Sequence, residues 1–330
     1  MVKTKRFSRI NLVQKYFIIV VLIILGTVMS FLSPHFLTFD NILNVLRQVS
    51  MIAIASYGVT LLIISGGLDL SQGGVVALSG IVAAKLASSG QIPITLSMII
   101  GIFCGIGIGI FNGAITVGGR INPVIVTIGT MYIARGLAYL ISGGNAIVTG
   151  ITESFKFIGR GRLGIVPIPI IVMIILFIFY HILLNNTIFG KYTYAVGGNL
   201  ETARLSGVAV NRHKFILYIN AGFLSGIAGI IMASRLASGQ PTAGAGFEFD
   251  VVVAALIGGT SLAGGEGSIL GTMIGALIVG VLRNGLNLLG VHTFYQYLFQ
   301  GGILIFVIML DSTMRDKGVL KIKFLKKYFQ

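Results

Sequence analysis

The stretch AVGGNLETARLSGVAVNR, Ala195 to Arg212, decides how this sequence is divided. It is a short, charged, glycine-bracketed island between the apolar runs Ile165–Leu184 and Lys214–Ser234. Within it, Asn199 is a good helix N-cap, and Glu201 falls in the first turn, where the helix dipole favours negative charge. Gly207 can supply a left-handed C-terminal cap. Between the caps lie about two turns, with Leu200, Ala203 and Leu205 mixed among Glu201, Thr202 and Arg204. So short a helix is unstable alone in water. It needs packing, either from the rest of the chain behind it or from a partner in front.

The surroundings of the island identify the solvent. Hydrophobic residues make up 55% of the chain and charged ones only 10%. The mean hydropathy is +0.97, which places the chain among membrane proteins. Its 330 residues suffice for one large membrane domain, with no long polar stretch left for a soluble catalytic domain. The net charge of +15 would suggest nucleic acid in a soluble protein. Here the basic residues concentrate at both ends and in the island, which is the positive-inside signature, and no nucleic-acid partner is expected. A single cysteine, Cys104, excludes an intrachain disulfide. The N-terminal run resembles a signal peptide but lacks a small-residue cleavage site, and reads as a retained first transmembrane helix.

Segments of about 20 apolar residues cross a bilayer as helices. Tyr16–Leu32, Ile94–Val117, Val124–Ile141, Ile165–Leu184, Lys214–Ser234 and Tyr297–Leu310 qualify directly. Asn41–Ser65, Val75–Ala87, Val251–Leu262 and Ile269–Leu289 are read as one pass each, for an all-α, polytopic membrane fold with about ten transmembrane helices. Lysines and arginines before Tyr16 and after Asp311 place both termini in the cytoplasm, and Lys191, Arg204, Arg212 and Lys214 place the island there too. The expected division is a basic cytoplasmic N-terminus (1–15), one transmembrane domain (16–311) and a basic cytoplasmic tail (312–330). Lys156, Arg160 and Arg162 fall in the outside loop Ser142–Leu163, against the charge bias.

Most of the 46 glycines are explained by close helix packing in lipid. Two clusters stand apart: GGLDLSQGG from Gly66 and GGTSLAGGE from Gly258. Aligned without gaps they share both leading glycines, the central leucine and one later glycine. Each breaks an apolar segment, as the interrupted helices of transporter repeats do, although ordinary surface turns have the same composition. The charge topology places both on one side, as a parallel echo. Asp69, Asn112, Asn122, Glu248, Asp250 and Asn287 lie within or beside the spans and are candidates to line a solute path or to tie helices together.

The chain has no G-x-x-x-x-G-K-[ST] phosphate loop, no H-E-x-x-H metal pair and no G-x-S-x-G nucleophile elbow. Its acids are too sparse for the carboxylate relay of a proton-coupled carrier. Neither an enzyme nor a metal site is expected, and a transporter driven from elsewhere fits better.

ETARLSG is similar to the E-A-A-x-x-x-G element of ABC-importer permeases: Glu201, Ala203 and Gly207 match, with Thr202 in the place of the other alanine. FGKYTYAVGGNLETARLSGVAV resembles the ribose-type sugar permeases, as do Ala134–Leu137, Ser238–Asp250 and Gly258–Val291. The resemblance runs from Asp40 to Asp311. It departs where the I-x-L-P that follows the element in many importers is missing. It implies the multi-pass subunit of an ATP-driven importer in the cytoplasmic membrane, paired with a second copy or a related permease and surrounded by lipid. A separate ATP-binding subunit would use ATP and Mg, with no cofactor on this chain, and an extracytoplasmic binding protein would deliver the sugar. The loop at about 185–214 would be the coupling loop, with Gly198, Asn199, Glu201, Thr202, Ala203, Arg204 and Gly207 gripped by the ATPase. Ribose is the expected cargo; xylose, galactose, autoinducer-2 and a nucleoside are alternatives for the same machine. An ion-coupled secondary transporter is the alternative class.

Overall fold

The computed structural model describes residues 18–315, so the basic segment 1–15 and most of the basic tail lie outside the described residues. Helix α1 covers Ile18–Leu32. It is followed by α2 (Phe39–Ile64), α3 (Gln72–Ser88), α4 (Ile94–Gly113, prolonged by a π turn to Gly118) and α5 (Pro123–Ser142). Next come α6 (Glu153–Arg160), a hairpin of β1 (Arg162–Leu163) and β2 (Val166–Pro167), and α7 (Ile168–Asn186). Helices α8 (Ile188–Gly198) and α9 (Leu200–Leu205) form the island, and α10 (Val210–Leu236), α11 (Phe247–Ile257), α12 (Ile269–Leu288) and α13 (Thr293–Arg315) complete the chain. Six of these helices are long and apolar enough to cross a membrane, and α1, α3 and the Thr293–Met309 part of α13 are shorter apolar helices. The fold is therefore an all-α polytopic one, with a two-residue-strand hairpin as its sole sheet among the described residues.

Helix α2 is the axis. Its most apolar window is 89% buried inside the chain, against 28% for α5 and α7, so α2 is wrapped by protein while α5 and α7 turn most of their surface outward. The sequence permits this because SMIAIASYGVT alternates bulk with Ala, Ser and Gly, and neighbours approach closely. At Gly58, Ala221 of α10 comes within 2.9 Å of where a Cβ would stand. Helices α4 and α10 come closer still. Gly105 and Gly109 face Gly222 and Gly226 backbone against backbone, with no side chain between. In lipid, where apolar surfaces have no reason to leave their solvent, such close packing is what holds helices together.

The one segment that the apolar pattern misreads is Val251–Leu262, expected as a single helical pass. Helix α11 begins earlier, at Phe247, ends at Ile257 and has 11 residues, about 16 Å, half the hydrocarbon core. The other half is non-helical. From the end of α10 the chain re-enters the bundle through Ser238–Gly246: Gly239 bridges to Ile147 and lies beside Ile81 and Ala84 of α3, and Gly244 lies beside Gly73 and Val76. The stretch of α3 from Ala84 back to Gly73 is about 16 Å long, so the segment descends that far before α11 starts. SGQPTAGAG could not signal this, since glycine, proline and small polar residues read equally as a surface turn.

Candidate functional site

The bundle has two contrasting ends. At one, the island, the local expectations hold in detail. Asn199 caps α9, its Oδ1 accepting from the Thr202 N–H at 2.9 Å. Gly207 takes φ +84°, and the N–H groups of Gly207 and Val208 bond to the carbonyls of Arg204 and Ala203, the paired closure of a left-handed cap. Ala203 turns inward onto Val196, Val208 and Val210. Glu201 and Arg204 form an exposed ion pair, and Leu205 is 85% exposed, an apolar side chain that no described residue covers. Gly198 is open, with no atom near the position of a Cβ. Helix α8 is fixed behind α9: the Tyr194 hydroxyl donates to the Gly267 carbonyl at 2.8 Å, and burial raises the pKa of that phenol. Any side chain on Gly197 would overlap the Ile64 carbonyl.

Gly197 thereby sits against the end of α2 and the second glycine cluster, and the fold brings the two clusters together under the island. The Gly265 N–H donates to the Ile64 carbonyl, and Gly264 packs against Gly197 and Gly66. Each cluster closes a helix in the same manner. For α2 the N–H groups of Gly66 and Gly67 bond to Ile63 and Leu62; for α11 those of Gly259 and Thr260 bond to Leu256 and Ala255. Gly66 at φ +74° therefore corresponds to Gly259 at φ +85°. The gapless alignment, which paired Gly66 with Gly258, is corrected by one residue, because the backbone repeats the cap and not the letters.

Halfway along the bundle lie two groups of buried polar residues. Asp69, 1% exposed, accepts from the N–H and the hydroxyl of Ser71, both at 2.7 Å. Asn112 donates to the Ser71 hydroxyl at 2.9 Å and accepts from Thr130 at 2.6 Å, so α3, α4 and α5 are tied through one amide. The second group surrounds the broken element. Asp250 pairs with Arg283 of α12 and accepts from Gln300 of α13, which also donates to the Gly246 carbonyl at 2.7 Å. Arg135 of α5 donates to the carbonyls of Pro241 and Ala243 at 3.1 and 3.3 Å. Glu248 is buried against Gly73, and its Oε2 has no hydrogen-bond partner among the described residues.

Of the other sequence candidates, Asn122 caps α5, accepting from Val124, and Asn287 is exposed and accepts from Gln296. The structure thus joins Asp69 with Asn112 and Glu248 with Asp250, and leaves Asn122 and Asn287 apart from both. Arg135, Arg283 and Gln300 escaped the sequence reading. An arginine or glutamine within an apolar stretch was the available signal, since such groups are kept at membrane depth only with partners.

At the end opposite the island, Arg47, Arg160, Arg162 and Arg235 line a cavity of about 360 Å³. Arg160 donates to the Arg235 carbonyl and Arg235 to Asn44, while Arg47 Nε is buried with no hydrogen-bond partner among the described residues. None of the four forms a salt bridge with a described residue. This gathering takes in Arg160 and Arg162, two of the three basic residues that ran against the charge bias; the third, Lys156, pairs with Glu153.

The sequence profile described as branched-chain amino acid transport system / permease component matches residues 41–308. The ribose import permease of Bacillus subtilis (strain 168) is 43% identical over 308 residues, 93% of this chain and 95% of that protein. That of Escherichia coli (strain K12) is 41% identical, covering 89% and 92% of the two chains. The D-allose transport system permease of the same strain is 37% identical over 90% of this chain and 91% of its own. No solved structure matches.

Proposed function

The chain belongs to the permease-component family that its profile and relatives define, and from that premise we propose the details of an ATP-driven sugar importer. It is a multi-pass protein of the cell membrane and the permease subunit of an ABC importer for sugars. Ribose or a related small sugar is the cargo we assign: the family description names amino acids, but the relatives over nearly the full length carry names for ribose, arabinose and allose.

The observation that carries the reading is the island. A helix of six residues, capped at both ends, packed through Ala203 and presenting Leu205 to the outside, is a part built for another protein to hold. A separate ATP-binding subunit, using ATP and Mg, grips it from the cytoplasm through Glu201, Thr202, Arg204 and the open Gly198. The six long spans, three shorter apolar helices and the broken element support a reading of ten crossings, and the charge bias favours both termini and the island in the cytoplasm. The arginine cavity then faces outward, where four guanidiniums without salt-bridge partners suit the carboxylates of an extracytoplasmic sugar-binding protein. A second permease completes the path. The basic segments 1–15 and 312–330 flank the single transmembrane domain.

The test is initial uptake of labelled ribose with and without the chain, with unlabelled xylose, galactose, allose and nucleosides as competitors, and co-purification of the ATPase alongside. Loss of ribose uptake on deletion supports the cargo; unchanged uptake moves it to another sugar. Glu201→Lys and Gly207→Pro should abolish uptake and release the ATPase while leaving membrane insertion intact. Uptake that survives ATP depletion and stops when the ion gradient collapses would replace this machine with a secondary transporter.

A further inference from the structure

The broken element carries a consequence for the solute path. Its turns leave several polar groups unpaired: the N–H groups of Thr242, Gly244 and Ala245 and the carbonyls of Thr242 and Ala245 bond to no described residue. The Thr242 hydroxyl is free in the same sense. These groups lie at the depth of Gly73 and Val76, amid apolar helices. One face of the segment is covered, since Ser238, Gly239, Pro241, Phe247 and Glu248 are buried; Thr242, Ala245 and Phe249 are exposed. Non-helical backbone at that depth persists only when buried in protein or wetted, because hydrocarbon offers no partner for an N–H or a carbonyl. The described residues do not bury the exposed face, and its bare polar groups exclude lipid.

We infer that the exposed face from Thr242 to Phe249 is a water-lined wall of the path, and that its unpaired backbone groups and the Thr242 hydroxyl contact a neutral polyhydroxyl solute. The inference rests on the importer reading and locates the solute within it. The chemistry fits a polyol better than an ion. Sugar hydroxyls both donate and accept, as this wall does. The neighbouring cations are already engaged: Arg283 is paired with Asp250, and Arg135 donates to the Pro241 and Ala243 carbonyls of the segment. Of the two carboxyl groups beside the segment, Asp250 is ion-paired and Glu248 is buried, so neither stands on the exposed face.

Because Cys104 is the sole cysteine, Cys104→Ser gives a background in which single thiols report directly. Thr242→Cys and Ala245→Cys would be placed in that chain, with Leu140→Cys, on an 80% exposed apolar position of α5, as the lipid-facing control. Each would be reconstituted with its ATP-binding subunit in vesicles and exposed to a water-soluble, charged thiol reagent. The two segment thiols should react at least about tenfold faster than the control, since thiolate chemistry needs water. Saturating ribose should slow them, and the rate should change between nucleotide-free and ATP-bound complexes. Reaction no faster than at Leu140→Cys overturns the wet wall. Fast reaction that no competing sugar from the uptake panel slows overturns the contact site. Failure of the unsubstituted complex to move any of those sugars is read separately, in the uptake assay, and counts against the importer and not the wall.

Discussion

At the ends of α2 and α11 the backbone closes with the same pair of hydrogen bonds, Gly66 and Gly259 taking left-handed turns of +74° and +85°, yet the two helices start at different depths. Helix α2 is 26 residues long and begins near the arginine cavity, where Asn44 receives Arg235. Helix α11 begins where α3 does, at the contact of Glu248 with Gly73. The difference shows what each level of structure controls. A cap is local chemistry and repeats wherever the residues repeat; the depth at which a helix starts is set by what its neighbours offer. Here the neighbours offer Arg135 and Gln300, which satisfy carbonyls that an ordinary lipid-facing segment would leave bare.

The comparison breaks most visibly at Gly73, where a side chain would overlap Glu248 and the Gly244 carbonyl. Gly73→Val should cost more than about 3 kcal/mol, since backbone cannot yield as a flexible side chain does. The readout is loss of monodisperse protein after detergent extraction, and a normal yield would show that the two breaks do not meet. Next in size is Asp250→Ala. Removing one partner of a buried pair typically costs about 3–5 kcal/mol, but the Arg283 side chain is 36% exposed, so about 2 kcal/mol is expected. Adding Arg283→Ala should recover part of that loss in thermal unfolding; a strictly additive double variant would deny the coupling.

Gly66→Ala and Gly259→Ala sharpen the comparison. Neither added Cβ meets an atom within 4 Å, so each cost is the left-handed strain alone, about 1–2 kcal/mol and equal for the two. A difference above about 1 kcal/mol between them would mean that the matching caps sit on unequal foundations. Smallest in stability is Asn199→Ala at the third capped end. A lost N-cap costs about 1 kcal/mol, confined to α9, so the melting temperature should hardly move while ATPase retention falls. Full retention would remove the cap from the coupling surface.

Much of this was legible beforehand for physical reasons. The caps of α9 could be read because Asn, Glu and Gly at fixed offsets act on their own backbone. The long spans could be read because length and apolarity suffice to cross lipid. The one-residue offset between the clusters could not, since glycine fills several turn positions equally well. The broken span could not either: its signals were distant partners, Arg135 about a hundred positions earlier and Gln300 about fifty later, whose bonds no local pattern announces. The arginine cavity was visible only as an anomaly of charge, basic residues on the wrong side of the bias.

Helix α10 has a mechanical consequence. It runs unbroken through 27 residues, about 40 Å, from Val210 beside the island to Arg235 at the arginine cavity. Most helix pairs are separated by a sleeve of side chains whose rotamers yield before either backbone does. Between α4 and α10 the sleeve is missing, since Gly105 and Gly109 bear directly on Gly222 and Gly226. The two behave as a laminated beam, stiff along its length and poor at absorbing strain. His213 fastens the near end, its Nε2 within 2.9 Å of the Thr193 hydroxyl on α8. A load applied at the island end of such a beam is delivered at its far tip, so one rigid part serves two surfaces that never touch.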